Sequence, residues 1–158
     1  MSITTPAPPR LMNTASLDPE HHGQLQDLLD GLLRDTAASY GVVFGTHGLH
    51  LLRSGDLDQV GAESITAVMT NVLLLSRGLG KLTDKGEAET IVVRYSSGAL
   101  VLAPVGGSFG LGLLTDDVEK LGQIAYAIAR FTTRAAHLLP ADILSSTGGV
   151  LPAAGVSR

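Results

Sequence analysis

The side chains able to do chemistry in this chain are few, and their spacing argues against most of it. There are five histidines, His21, His22, His47, His50 and His137, and no cysteine. His21 and His22 fall in a first helical turn, where adjacent side chains point apart. His47 and His50 flank a turn and could approach a metal only weakly. Surface histidine is the plainer reading of all five. Gly78-Leu79-Gly80-Lys81 has the glycine and lysine of a phosphate loop. No Ser or Thr follows the lysine, Leu75 stands at the earlier glycine position, and the segment ends a helix instead of starting one. Gly106 to Gly112 is glycine-rich but runs along a hairpin and a strand, which does not suit a dinucleotide. Ser96, Ser97 and Ser108 have no nucleophile-elbow setting. Asp116-Asp117 is better explained by helix capping than by acid–base work. Nothing local assembles a nucleophile, a base and oxyanion donors, so the expectation is no catalytic, metal or cofactor residue and no enzyme. A site assembled by the fold stays open.

Composition narrows the partners. The 158 residues suit one domain with tails, and an apolar content of 44% is enough for a core. Aromatic residues are only 4%, so that core is mostly aliphatic. The net charge is -4 and the eleven basic residues are scattered, which argues against nucleic acid. The lack of cysteine fits a reducing cytoplasm. No apolar run reaches the roughly 18 to 20 residues of a membrane span, and the N-terminus lacks the apolar core of a signal peptide. A cytoplasmic protein is expected.

The elements follow in order. Residues 1–16 are rich in Pro, Thr and Ala and read as a disordered tail. Asp18-Pro19-Glu20 starts a first helix with Leu25, Leu28, Leu29, Leu32 and Leu33 on one face, ending near Ala38. Tyr40 to Phe44 and Leu49 to Arg53 read as a hairpin around a glycine turn. A long second helix follows. Thr90 to Tyr95, Ala99 to Ala103 and Ser108 to Leu114 are three more strands. In the last of them Phe109, Leu111 and Leu113 alternate with Gly110 and Gly112. Large side chains then share one face, and a helix could lie close against the glycine side. Asp116, with Glu119 three residues on, is expected to cap a third helix. Its apolar face is Val118, Leu121, Ile124, Ala125, Ile128, Phe131, Ala135 and Leu138. Residues 140–158 read as a flexible tail, though Ile143-Leu144 could dock somewhere.

The second helix, Leu57 to Leu82, is the longest. Asp56 is expected to cap it, with Gln59 completing a capping box. Ile65, Val68, Met69, Val72, Leu75 and Leu79 fall on one side at helical spacing. Val60, Ser64, Ala67, Asn71, Leu74 and Gly78 form a second stripe of small and apolar residues. Gln59, Glu63, Thr66, Thr70, Arg77 and Lys81 make the only clearly wet strip. Two buried-looking faces need two packing partners, of which one is the sheet and the other a second copy of the chain. Exposed alanine and serine with one stray leucine is the plainer alternative.

The order helix, strand, strand, helix, three strands, helix, with short turns, implies an α+β layer structure with an antiparallel sheet. This pattern resembles the roadblock family, the dynein light-chain roadblock and bacterial MglB-type proteins. The residues that carry the resemblance are the apolar first helix, GVVFGTHGLHLL, the second helix, TIVVRYSSGALVLAPVG, and FGLGLLT before the last helix. It spans about residues 17–139, a distributed pattern with no catalytic signature. It implies a five-stranded antiparallel sheet with the second helix on one face and the other two helices on the other. It also implies a homodimer or heterodimer through the second helices and third strands. Val60, Ser64, Ala67, Asn71, Leu74, Gly78, Ile91 and Val93 would form that contact. The implied function is non-enzymatic scaffolding or regulation of a Ras-like small GTPase. By position the GTPase surface maps to Gln59, Glu63, Thr66, Thr70, Arg77 and Lys81. Arg77 is a candidate arginine finger only because it looks exposed. The alternative from another class is a small-molecule sensor on the same architecture, which would need a pocket with convergent polar groups.

Overall fold

A computed structural model describes residues 18–139, so both expected tails lie outside the described residues. Helix α1 spans Pro19–Thr36, with the Asp18 carboxylate accepting from the Glu20 amide at 3.3 Å and proline in its first turn. Strands β1 (Tyr40–Gly45) and β2 (His50–Gly55) form the first hairpin. Helix α2 spans Gln59–Leu82. Strands β3 (Ile91–Tyr95), β4 (Gly98–Val105) and β5 (Phe109–Thr115) follow. A single 3-10 turn, Val118–Lys120, leads into α3, Leu121–Ala135.

The sheet order is β2-β1-β5-β4-β3, antiparallel throughout. The short turns zip β1 to β2 and β3 to β4 to β5, and β1 then closes on β5. Expected fold class and element order both hold. A ladder irregularity between Val43 and Phe44 shifts β2 by one residue near the first turn.

Helices α1 and α3 pack together over one face of the sheet. Leu25, Leu29, Val43, Leu113, Ile124 and Phe131 are part of the larger core there. Helix α2 covers the other face over a smaller core of Val42, Phe44, Met69, Leu73, Leu100 and Leu102. The glycine side of β5 is what lets α2 sit close. A Cβ on Gly112 would stand 2.4 Å from Met69 Sδ, and one on Gly110 would stand 2.6 Å from Phe44 Cζ and 3.2 Å from Leu73 Cδ2.

Three local expectations are corrected. Asp58, not Asp56, caps α2, accepting from the Gly61 amide at 2.7 Å. Gln59 is then the first helical residue, too early for a capping box. Asp117, not Asp116, accepts from the Glu119 amide at 3.0 Å, and it caps the 3-10 turn instead of α3 itself. Asp116 instead accepts from the Ser39 hydroxyl at 3.3 Å.

The third correction is the rotation of α2. Its buried face is Ala62, Thr66, Met69, Thr70 and Leu73. Of the six residues expected to face the core, Met69 alone is buried, Ile65 and Val72 are half-buried, and Val68, Leu75 and Leu79 are exposed. The physical reason lies in the threonines. A β-branched hydroxyl residue fills the space of valine and can return its hydroxyl to a carbonyl of its own helix. Thr70 does so, donating to the Thr66 carbonyl at 2.8 Å. Hydropathy counts such a residue as wet, and the inferred face turns away from it.

Candidate interaction surface

The rotation leaves the back of α2 bare. Val60, Ser64, Ala67, Asn71, Leu74 and Gly78 are all exposed, directly opposite the buried face. Val68, Leu75, Leu79 and Leu82 join them, and Leu75 and Leu82 are 74% and 85% exposed. The expected stripe is therefore wider and more apolar than the sequence suggested. Exposed apolar surface of this kind is what interaction sites are built from.

Strand β3 lies at the edge of the sheet, beside β4 alone. Ile91 and Val93 are half-buried against the core beneath α2, and Val92 points to the other face and is exposed. The bare helix back lies in the helix layer on one face of the sheet, and the open strand edge lies in the sheet itself. Of the eight residues of the expected self-contact, the six on α2 are exposed and Ile91 and Val93 are half-buried.

The expected wet strip does not survive as one strip. Thr66 and Thr70 are buried under the helix. The four remaining residues split into two pairs about 20 Å apart along the helix at 1.5 Å per residue. At the N-terminal end, Gln59 accepts from the Arg53 guanidinium and donates to Glu63 at 2.8 Å. Arg53 also donates through Nε to the Leu57 carbonyl at 2.9 Å, which ties β2 to the start of α2. Beside this chain stands His50, whose Nε2 is buried with no partner among the described residues. Burial, then the Arg53 charge, lowers its pKa below the usual histidine value, while Glu63 pulls the other way.

At the C-terminal end, Arg77 and Lys81 line a groove of about 760 Å³ between α2, the loop around Glu87 and the β4–β5 turn. Arg77 is half-buried, and its Nε is sealed off without a hydrogen-bond partner. It is not the freely exposed arginine expected. Neither cation lies within ion-pair distance of a carboxylate among the described residues, where the ion pair formed is Lys120–Asp117 at 4.0 Å.

Sequence reasoning missed Leu75, Leu79 and Leu82 as surface residues, although their steps of four and three put them on one side. It missed the groove because its walls come from three separate segments. Among the described residues, no group of three or more His, Asp or Glu side chains could hold a metal, and no helix is long and apolar enough to cross a membrane.

Comparison with known proteins gives a consistent picture. The family model for the Roadblock/LC7 domain matches residues 24–115, more than half of the chain. Among solved structures, an MglB in a tetrameric arrangement superposes with a TM-score of 0.72 at 18% identity, covering 78% of this chain and 93% of that one. Myxococcus xanthus MglB gives 0.68 at 18% identity, covering 78% and 96%. A Roadblock/LC7 domain from Streptomyces avermitilis gives 0.63 at 23% identity, covering 69% and 92%. No curated protein sequence matches the chain.

Proposed function

The chain belongs to the Roadblock/LC7 domain family, and from that premise we propose that it is a non-enzymatic homodimer that binds a Ras-like small GTPase and biases its nucleotide state or its location. The observation that carries the reading is the bare apolar back of α2 beside the open edge of β3. A two-fold axis covers both at once, because each then meets its own copy. Small residues at Ser64, Ala67 and Gly78 let two helices approach closely, while Val60 and Leu74 supply apolar contact. Pairing of the β3 edges continues the sheet and removes an exposed ladder. The similarity in fold to an MglB that assembles as a tetramer supports self-association.

The GTPase part of the reading rests on the resemblance to MglB-type regulators. Gln59 and Glu63 at one end of α2, and Arg77 and Lys81 at the other, are the polar groups flanking the apolar stripe. Glu63 and Lys81 are exposed and Arg77 is half-buried, and surface charges set partner choice and association rate more than stability. Immobilised protein is expected to recover a Ras-like GTPase from native lysate, and the triple variant Glu63→Lys, Arg77→Glu, Lys81→Glu is expected to lose it while remaining folded. Recovery of no GTPase, or equal recovery by the triple variant, rejects the assignment.

A further inference from the structure

The layer of α1 and α3 closes its core within the single chain, and what its outer surface offers a partner is charge. A groove of about 200 Å³ runs between the two helices, with Leu32 and Phe131 buried in its floor and Leu28 half-buried beside them. Helix α1 sets Asp27 and Asp35 along one bank, and α3 sets Arg130 and Arg134 along the other. All four are exposed, and no aspartate–arginine pair stands at ion-pair distance across the groove among the described residues. Arg34, also exposed, bends back along α1, its Nη2 3.6 Å from where a Cβ on Gly31 would stand. It adds one cation to the α1 bank, which stays net acidic. Gly31 itself is unexplained by the chain. A glycine inside a helix weakens it relative to alanine, and here an added Cβ would meet only that guanidinium, at ordinary contact distance. A missing side chain beside a groove lets another helix come close.

We propose that a second copy of the chain covers this groove, with a two-fold axis running along it. Such an axis lays α1 of each copy on α3 of the other and keeps every residue at its own level along the groove. The acidic bank of each copy then meets the basic bank of the other, and both contacts form at once. An axis across the groove would lay α1 on α1 and α3 on α3, acid on acid and base on base, which like-charge repulsion disfavours. The charge pattern therefore selects the first axis. Helix α3, of 15 residues, extends about 22 Å, and two helices side by side are about 20 Å wide. The face is thus roughly half of the ~800 Å² that each partner gives to a standard interface. The contact is weak, driven by charge, and falls as salt rises. It lies on the opposite face of the sheet from α2 and does not rest on the seam proposed there.

The test exchanges charges between two full-length chains. One carries Arg130→Glu and Arg134→Glu, so that both banks are acidic. The other carries Asp27→Arg and Asp35→Arg, so that both are basic. All four positions are exposed, so both chains are expected to unfold near the wild-type midpoint. Both also carry Leu74→Asp, to weaken the seam on α2. At low salt and hundreds of micromolar, each chain alone is expected to sediment at one mass and their equimolar mixture at twice that mass. The Leu74→Asp chain without the exchanges is expected to double by itself, at least about tenfold more tightly than either exchanged chain. A single chain with all four exchanges has opposite banks again and is expected to double as well. The mass of each exchanged chain alone reports separately whether Leu74→Asp opened the α2 seam, and the doubling is counted from whichever mass is found. A mixture that does not double leaves the groove to another protein or to solvent and overturns the proposal. Self-association of either exchanged chain as tight as that of the unexchanged one overturns it as well.

Discussion

On the face of the sheet covered by α1 and α3, Leu25, Leu29, Val43 and Ile124 have no exposed surface at all, and two helices close over them. On the other face α2 lies alone. Its underside sets Thr66, Met69, Thr70 and Leu73 towards a sheet that offers Gly110 and Gly112, and its back carries Val60, Val68, Leu75, Leu79 and Leu82 into solvent. One face is finished within the chain. The other leaves the back of α2 uncovered in the single chain. The difference teaches where stability and association are encoded. Substitutions on the closed face should act on folding, and those on the back of α2 should act on assembly.

The largest expected effect is on the closed face. Leu29→Ala removes a fully buried side chain between α1 and the sheet and should cost about 2 to 5 kcal/mol, read by urea unfolding at one protein concentration. Leu75→Ala, on the back of α2, should leave the unfolding of the separated protomer nearly unchanged. Equal costs at both positions would break the contrast.

Next comes assembly. Leu74 is 45% exposed, so burying that exposed part in a seam contributes about 1 kcal/mol per subunit. Leu74→Asp adds an unpaired charge that has to be buried only when the dimer forms. The variant should therefore be a folded monomer, with dimer affinity down by at least about a hundredfold. Sedimentation equilibrium decides it, and a wild-type monomer at tens of micromolar would end the case for the dimer.

The contrast also explains what could be read from the sequence. The closed face was legible because leucines at helical spacing in α1, and Ile124, Ile128 and Phe131 in α3, meet alternating large residues of β5. The close approach of α2 was legible in Gly110 and Gly112. The antiparallel pairs β1–β2, β3–β4 and β4–β5 followed from short turns, while the pairing of β1 with β5, which completes the sheet order, had no local signal. The rotation of α2 was not legible. Its core-facing positions include Thr66 and Thr70, which hydropathy counts as wet, while its solvent-facing positions include Leu74, Leu75, Leu79 and Leu82, which hydropathy counts as buried. In α2 the usual rule is inverted, since its most apolar stripe faces solvent in the single chain. The caps were displaced by one or two residues because Asp56 and Asp58, like Asp116 and Asp117, are chemically equal. Only backbone geometry separates them.

A smaller effect is expected where the two faces meet at the β2 edge. Burial and Arg53 hold the pKa of His50 low in the folded state, against the opposing pull of Glu63. A depressed histidine pKa means that the unfolded chain binds the proton more readily. Stability is then complete above the unfolded value of about 6.5 and declines as pH falls from there towards the folded value. Thermal unfolding at stepped pH should show that decline, and His50→Gln should flatten it. Glu63→Gln should steepen it, because the group that raises the pKa is gone. An unchanged profile in His50→Gln would exclude this histidine as its source.

The last prediction concerns the underside of α2. Thr66 is fully buried, and its hydroxyl has no partner among the described residues. Thr70, one turn on, donates to the Thr66 carbonyl at 2.8 Å. A buried hydroxyl without a partner carries a desolvation cost of about 1 to 3 kcal/mol, and valine fills the same space without it. Helix propensity is close to neutral in this exchange, since both residues are β-branched. Thr66→Val should therefore stabilise the fold by roughly 1 kcal/mol, once the remaining polar interactions of the hydroxyl are discounted. Thr70→Val, which gives up a made hydrogen bond, should be neutral or lose up to about 1 kcal/mol. Neither exchange touches the back of α2, so dimer affinity should not move in either variant. Urea unfolding measures the first pair of outcomes and sedimentation the second. A Thr66→Val protein less stable than Thr70→Val would mean that the Thr66 hydroxyl is bonded in solution. The thin floor under α2 would then be held by polar contacts as well as by packing.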